Sequence, residues 1–444
     1  MSSEVLKPQT QNKKSYARSH AFLERSLKSI PLGSQTFSKS HIQLPEGCSP
    51  LYLERGYGSR VVDIDGNEFV DLLMALAPIL LGYCDPDVDQ AIKNQLEKGI
   101  SFSMPTTLET ELAERMIEMI PCAQAVRFGK NGSDATSAGI RLARAFTKRD
   151  KIIACGYHGW HDWYIGSTSR HLGVPQTTRD LTISIPYNNL DVLHQAFKDH
   201  PGEIAAMIME PMNAEKPHDG YLQSVKEIVH QNGAVLIFDE VVTGFRHANG
   251  GAQELFGVTP DLAAFGKAMA NGMPLSAITG RADIMALMTD IFFSGTFGGE
   301  ALSLAASIAV VDKLRREPVV ETIWEKGRSF QSKVNALIEK YELGAIFKMK
   351  GQPCFGVMAI TPPEHVRLEA IRTVMLQKLI EHDFLTLGIF IMNYAFTPED
   401  EAVAVHAFDK TFEHIAQELA YKPEEFEKRM DIKPIEPVFQ VRKS

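Results

Sequence analysis

Residues 234–246 read AVLIFDEVVTGFR, and how they are read decides the fold. Val235, Leu236, Ile237 and Phe238 make an unbroken apolar run, which suits a strand buried on both faces of a parallel sheet better than one half in water. Where the run should emerge stand two carboxylates, Asp239 and Glu240. Open α/β sheets place ligands at the C-terminal edge of their strands. Successive strand residues point to opposite faces, so at most one of these acids can face a given ligand.

Further along, a second apolar run at 262–265 ends in Gly266-Lys267, with small neighbours at Ala268, Ala270 and Gly272 and then Pro274. A lysine among such residues can lie against a bulky flat ligand. Desolvation there lowers its pKa and makes it a candidate Schiff-base amine. A carboxylate on one strand and a Schiff-base lysine on the next are what a pyridoxal phosphate (PLP) site requires, the acid for the pyridine nitrogen and the lysine for the aldehyde. Either residue alone reads equally well as the solvated end of an ordinary strand, so the rest of the chain must decide.

The chain has 444 residues, 44% hydrophobic and 23% charged, which is enough for a large core and two or three domains. Its net charge of −9 argues against general nucleic-acid binding, which needs a positive field. Cys48, Cys84, Cys122, Cys155 and Cys354 are scattered without a CxxC pair, as expected of free thiols in a reducing compartment. The polar N-terminal twenty residues contain no apolar core of a secretory signal. The longest apolar stretch, 71–84, is too short for a bilayer and is interrupted by Pro78. A cytoplasmic protein with no membrane partner is expected.

Taken in order, residues 1 to about 20 are expected to be loose, and a short helix is expected over 22–30, stopping at Ile30-Pro31. Residues 32–49 read as an irregular loop, and 51–72 as a hairpin turning at Asp65-Gly66-Asn67. From Asp87 onward helix and strand patterns alternate, which predicts an α/β fold with a largely parallel sheet. Seven strands are expected, at 125–128, 152–155, 182–185, 204–209, 234–238, 262–265 and 277–279, with helices such as 190–198 and 222–231 between them. Amphipathic runs at 320–341, 365–383 and 398–419 suggest a smaller α+β domain, and the Pro-punctuated tail 431–444 is expected on the surface. The expected division is an N-terminal segment, 1–86, belonging to the small domain, a large domain, 87–319, and the C-terminal small domain, 320–444.

Several loops could carry chemistry. Asn131-Gly132-Ser133-Asp134 follows a strand and opens a helix, which offers either a phosphate seat or a simple N-cap. CGYHGWHDWY at 155–164 crowds His158 and His161 among aromatics. A metal site is the weakest reading there, for want of further ligands. Core packing is a second, and a flat aromatic covering a planar cofactor, with Tyr157 preferred, is a third. Glu210, before Pro211, ends the run 204–209 and could serve a site or simply be solvated. The loop Ser294-Gly295-Thr296-Phe297-Gly298-Gly299 could hold a phosphate or merely turn the chain.

In that order the motifs NGSDA, YHG, EP, IFDEVVTGFR, FGKAMANGMP and SGTFGG resemble those of class III PLP-dependent aminotransferases of fold type I, most closely the glutamate-1-semialdehyde aminomutase branch. The resemblance runs from IPLGS at 30–34 through DIDGNEFVDL at 63–72 to YAFTPEDEAV at 394–403. It implies that Lys267 holds PLP as a Schiff base and moves the substrate proton, and that Asp239 pairs with the ring nitrogen. It further implies that Val241 and Tyr157 cover the two ring faces, that Gly132 and Ser133 bind the phosphate, and that Glu210 lies near the ring edge. Thr296 would reach the phosphate of a neighbouring subunit, making a homodimer with shared active sites; Arg246 is expected to be structural. The chain departs from the branch at NGSDA in place of SGTEA, at Lys39 where the aminomutase has an arginine for the substrate carboxylate, and at HDWY after YHG. Lysine lacks the planar fork of arginine. The expected activity is therefore transfer of an amino group from an amino acid, plausibly glutamate, to an aldehyde or ketone, polar and of sugar-like or phosphorylated type. The aminomutase reaction is the first alternative, and an inactive binding protein on the same fold, which intact Lys267 and Asp239 oppose, is the second.

Overall fold

In the computed structural model, which describes residues 14–436, strands β1 (Leu53–Tyr57), β2 (Arg60–Asp63) and β3 (Glu68–Asp71) form an antiparallel meander. The turn between β2 and β3 is shaped by Asp63, whose Oδ1 accepts from the amides of Asp65 and Asn67 at 3.0 and 2.7 Å. Asp65 in turn caps a helix distant in sequence: it accepts from the amides of Arg18 and Ser19, at 2.8 and 2.9 Å, and from the Ser19 hydroxyl at 2.7 Å. Helix Ala17–Ser26 therefore starts earlier, and ends earlier, than the 22–30 read from local sequence. Its first amides find their acceptor through tertiary contact, which local pattern cannot show. The expectation of loose chain up to residue 20 is corrected for 17–20; residues 1–13 lie outside the described residues.

The main sheet contains β4 (Ala125–Gly129), β5 (Lys151–Cys155), β6 (Thr182–Ser184), β7 (Ile204–Met209), β8 (Val235–Asp239), β9 (Leu262–Phe265) and β10 (Ser276–Gly280). All seven expected strands are present, in the spatial order β4-β10-β9-β8-β7-β5-β6. Only β10 runs antiparallel to its neighbours. Every residue of β7, β8, β9 and β10 is buried. Alternation along β8 divides its side chains between two cores. Leu236 and Phe238 enter the larger, with Met207, Phe265, Leu112 and Leu304, whereas Val235 and Ile237 join Ala138, Leu142, Ile152 and Ile278 on the other face.

Beyond the sheet lie helices Val319–Lys340, Leu368–Glu381 and Pro398–Ala420, close to the expected runs. Strands β11 (Phe347–Gln352), β12 (Phe355–Ile360) and β14 (Ile389–Ile391) form a three-stranded sheet, while β13 (Phe384–Leu385) pairs parallel to β3 and joins the N-terminal meander. Of the tail, 431–436 is described: Asp431, Lys433 and Glu436 are exposed, as expected of a surface segment, and Ile435 is its buried anchor, with its amide on Thr373 Oγ1 at 2.8 Å. Residues 437–444 lie outside the described residues.

The chain after β3 takes an unusual path. Met74, Ala75, Leu76 and Ala77 have φ of 46, 53, 76 and 83°, a left-handed turn made without glycine. The turn is held at both ends. Asp71 Oδ1 accepts from the amides of Leu73 and Met74 at 2.7 and 3.2 Å, and the Arg246 guanidinium donates to the Ala77 carbonyl at 2.7 Å and to that of Met392 at 3.1 Å. Arg246 is fully buried, and burial lowers its pKa to about 10. It is structural, as expected, and ties the loop after β8 to both the N-terminal and C-terminal segments. Left-handed residues other than glycine cost roughly 1–2 kcal/mol each. Ala77→Gly is therefore expected to raise stability by about 1 kcal/mol, read as a higher melting temperature; an unchanged or lower one would show that the turn carries no such strain.

Candidate active site

Because β4, β9, β8, β7 and β5 all run in one direction, the loops that follow them emerge at one edge of the sheet. Those loops carry Gly132 and Ser133 after β4, Tyr157 after β5, Glu210 after β7, Asp239 and Val241 at and after β8, and Lys267 after β9. All seven residues line one cavity of about 410 Å³, together with Thr36, Pro78, Lys130, His158, Trp160 and Met273. Asp239 lies abreast of Ala264 in the parallel pairing of β8 and β9, so Lys267, just past the end of β9, arrives beside it.

Asp239 is buried, with Oδ2 2.8 Å from His158 Nδ1 and Oδ1 accepting from the Val241 amide at 3.1 Å. Glu240, pointing the other way, is wholly enclosed and accepts from the Thr243 hydroxyl and from the amides of Ala252 and Gln253, both at 2.9 Å. The alternation thus assigns the two acids different tasks, one in the cavity and one bracing the loop behind it. His158 went unrecognised as a partner of Asp239 in the sequence. It is buried, its Nε2 meets no partner among the described residues, and it lies nearly parallel to Trp163. His161 instead contacts Ser137 Oγ at 2.6 Å, so the two histidines serve different neighbours.

Helix Gly132–Thr147 begins with a capping box in which Asn131 and Asp134 each satisfy an amide of the other. The phosphate-seat and N-cap readings of this loop are therefore compatible, since the box leaves amides at the helix start for a ligand. Gly132 packs so closely on Val241 that a Cβ would stand 2.9 Å from its Cγ1. Gly159, at φ 102°, passes Ser133 so tightly that a Cβ would come within 2.2 Å of its Oγ. Ser133 Oγ also accepts from the Trp160 amide at 3.3 Å, which stitches the loop after β4 to the loop after β5. Tyr157 is half exposed into the cavity, with its amide on Glu210 Oε2 at 3.1 Å. Burial, reinforced by the Asp239 charge, raises the Glu210 pKa.

Lys267 has a φ of 42°, a strained value for a non-glycine residue of the sort found at functional sites. Burial lowers its pKa; the charges of Asp239 and Glu210 oppose that shift and the Arg246 charge adds to it. The result favours the neutral, nucleophilic amine. Thr296 is the exception among the expected residues. It is exposed and lines a separate cavity with Phe128, Phe292 and Phe297. Lys130, on the wall of both cavities, is paired with Glu300 at 3.0 Å between them. Trp163 is buried in the core, whereas Trp160 is 67% exposed on the cavity wall, so only the second can meet a ligand.

The cavity fits a flat, phosphorylated, aldehyde-bearing ring. It offers a tight glycine floor beside Val241, an aromatic at Tyr157, a buried carboxylate, a helix start for a dianion and a lysine whose pKa burial lowers. Such a set on a mostly parallel seven-stranded sheet defines a PLP-dependent transferase of fold type I. The family Aminotransferase class-III matches residues 44–396, and the chain belongs to that family. It is 34% identical over 413 residues to a 3-aminobutyryl-CoA aminotransferase of Cloacimonas acidaminovorans, covering 91% of this chain and 98% of that one. It is 36% identical over 332 residues to a glutamate-1-semialdehyde 2,1-aminomutase of Natranaerobius thermophilus, covering 70% and 76% of the two chains. Among solved structures, the FumI protein of Sphingopyxis sp. MTA144 in its PLP form superposes with a TM-score of 0.85 at 28% identity, over 91% of this chain and 98% of that one. The protein is a PLP-dependent aminotransferase of class III.

The lowered lysine pKa has a consequence for the apo-protein. In the folded chain Lys267 gives up its proton at lower pH than in the unfolded chain, so between the two values the unfolded state binds more protons. Stability should then rise with pH as the solution approaches about 10.4, the ordinary lysine value. Apo-protein melted between pH 7 and 10 is expected to gain stability relative to apo Lys267→Met, and parallel curves would refute the assignment of a depressed lysine.

Proposed function

We propose that Lys267 carries PLP and that the protein moves an amino group from an amino-acid donor, glutamate by preference, to an aldehyde or ketone. The observation that supports this best is the strained, buried Lys267 set one strand beyond Asp239 at the common edge. In this reading the Asp239 carboxylate, oriented by His158, holds a proton on the ring nitrogen. Val241 and Tyr157 enclose the ring, the amides at Gly132 and Ser133 together with the Ser133 hydroxyl take the phosphate, and Glu210 sits at the ring edge. The bound cofactor supplies an electron sink for the bond broken at the substrate carbon. The Lys267 amine would take up and hold the proton released from that carbon.

The amine for which the Cloacimonas relative is named, 3-aminobutyryl-CoA, carries a phosphorylated CoA group, which supports a polar, phosphorylated compound among the substrates. The aminomutase reading rests on relatives at 36–37% identity, and the exposed Lys39 in place of an arginine weighs against it. Borohydride reduction should fix the cofactor to Lys267, and Lys267→Ala should lose at least about a thousandfold in turnover while still binding PLP. L-Glutamate alone should bleach the visible absorbance and release its keto acid. Efficient conversion of glutamate-1-semialdehyde to 5-aminolevulinate with no donor present would instead establish the aminomutase.

We further propose a cytoplasmic homodimer in which Thr296 completes the partner's phosphate site, with residues 1–86 and 320–444 making one small domain beside the large domain 87–319. The pairing of β13 with β3 supports the division, and the five cysteines, free of disulfides, support the compartment. No helix among the described residues is long and apolar enough to cross a membrane. For the dimer the support is an apolar surface around that loop, where Phe102, Met104, Phe292 and Phe297 are 51, 77, 81 and 60% exposed. Light scattering should give twice the chain mass. Hybrids of Lys267→Ala with a severely impaired Thr296 variant should regain activity by forming one undamaged site; hybrids without gain would place the Thr296 contribution within its own chain.

A further inference from the structure

Thr296 stands on an exposed loop, 294–300, and that loop is mounted on the same strand and helix that form the phosphate seat. Just before the loop, Arg141 of helix Gly132–Thr147 donates to the Phe292 carbonyl at 2.7 Å, and Arg127 of β4 donates to that of Phe293 at 3.3 Å. At its far end the Lys130 ammonium donates to Glu300 Oε2 at 3.0 Å. Between these anchors the Gly298 amide donates to the Gly295 carbonyl at 3.0 Å and the Glu300 amide to that of Phe297 at 3.2 Å, and the Thr296 and Phe297 side chains stand in solvent.

The third anchor differs in kind from the other two. Arg127 and Arg141 are exposed, whereas the Lys130 and Glu300 side chains are only 18 and 11% exposed. Both partners are also fixed at their own ends. The Lys130 amide donates to Asp134 Oδ2 at 2.9 Å, the oxygen that takes the Asn131 amide at 2.8 Å, so Lys130 is strapped to the capping box of the phosphate seat. Glu300 is the N-cap of helix Ala301–Arg316, with Oε1 accepting from the Leu302 amide at 2.7 Å and Oε2 from the Ser303 amide at 3.3 Å. One enclosed ion pair therefore joins two helix starts and closes the loop that carries Thr296. Removing one member of such a pair leaves the other charge out of water and uncompensated, which drives the local structure to rearrange.

We propose that Lys130 is a positioning residue for the cofactor of the neighbouring subunit: through Glu300 it fixes the end of the 294–300 loop, so that Thr296 meets the phosphate across the dimer. The proposal rests on the homodimer reading of Thr296 and names what holds that residue in place. Because the Lys130 ammonium is given to Glu300, its effect on phosphate binding passes through Thr296 and falls on the other chain's site.

The test titrates full-length apo-protein with PLP and with pyridoxal, which lacks the phosphate, following tryptophan fluorescence and the visible absorbance of the Schiff base. Thr296→Ala should weaken PLP about 10- to 100-fold, as expected for losing a hydrogen bond to a charged group, and leave pyridoxal within about twofold. Lys130→Met should weaken PLP about tenfold with the same indifference to pyridoxal, and Lys130→Arg should recover most of the loss. Glu300→Gln keeps an oxygen to cap the helix and should match Lys130→Met; it carries the test if Lys130→Met does not fold. Lys130→Met combined with Thr296→Ala should bind PLP no more weakly than Thr296→Ala alone, because one acts through the other. In hybrids of Lys130→Met with Lys267→Ala, the one site able to form a Schiff base takes its Thr296 from the chain with intact Lys130, and it should bind PLP as the wild type does. Additive losses, equal losses for PLP and pyridoxal, or weakened binding in those hybrids overturn the inference. Unchanged PLP affinity in the Lys130 and Glu300 variants, with Thr296→Ala impaired, overturns it alone and leaves the homodimer reading standing. Thr296→Ala without effect on PLP overturns both together.

Discussion

The parallel pairing of β8 with β9 is the constraint on which the site depends. Placing Asp239 abreast of Ala264 leaves Lys267 as the first side chain beyond the next strand end, so carboxylate and amine arrive together without a dedicated loop. The same direction of travel in β4, β5 and β7 brings a helix start, an aromatic and a second carboxylate to that edge. A single antiparallel strand among these five would carry its loop to the opposite edge of the sheet. The one antiparallel member, β10, contributes no residue of the chemistry.

A site assembled from loops needs those loops held, and much of the buried polar chemistry does that. Glu240 ties the loop after β8 to the helix start at Ala252, and Arg246 ties it to the Ala77 and Met392 carbonyls. Asn271, just past Lys267, accepts from the amides of Leu80 and Leu81 at 2.9 and 2.8 Å and donates to the Gly82 carbonyl at 3.0 Å. Segment 74–82 is therefore pinned from both cofactor loops, and its left-handed turn sets Pro78 in the cavity wall. Local strain of this kind persists because the surrounding structure over-determines it.

The electrostatics of the site follow from the same packing. Asp239 and Glu210 converge on a lysine kept out of water, with Arg246 buried behind it. Attraction to the two acids favours the ammonium form, while burial and the guanidinium favour the amine, and burial dominates. The cavity lining beyond these groups is largely apolar around Pro78, Trp160 and Met273.

Much of this was legible in the residues themselves. Apolar runs announced the strands of a largely parallel sheet, and all seven are found, with β10 running antiparallel; period-two orientation divided Asp239 from Glu240, and the small residues around Lys267 announced close packing. These features follow from neighbours in sequence, where strand pleat and side-chain size act directly. Only the tertiary structure decided which groups meet across long separations. It capped helix Ala17–Ser26 with Asp65, paired β13 with β3, gave Asp239 to His158 rather than to His161, buried Trp163 while leaving Trp160 on the cavity wall, and turned Thr296 away from its own chain's cavity. The reason is physical: a hydrogen bond or a packing contact between distant residues is set by the path of the whole chain, and no local period or propensity encodes that path.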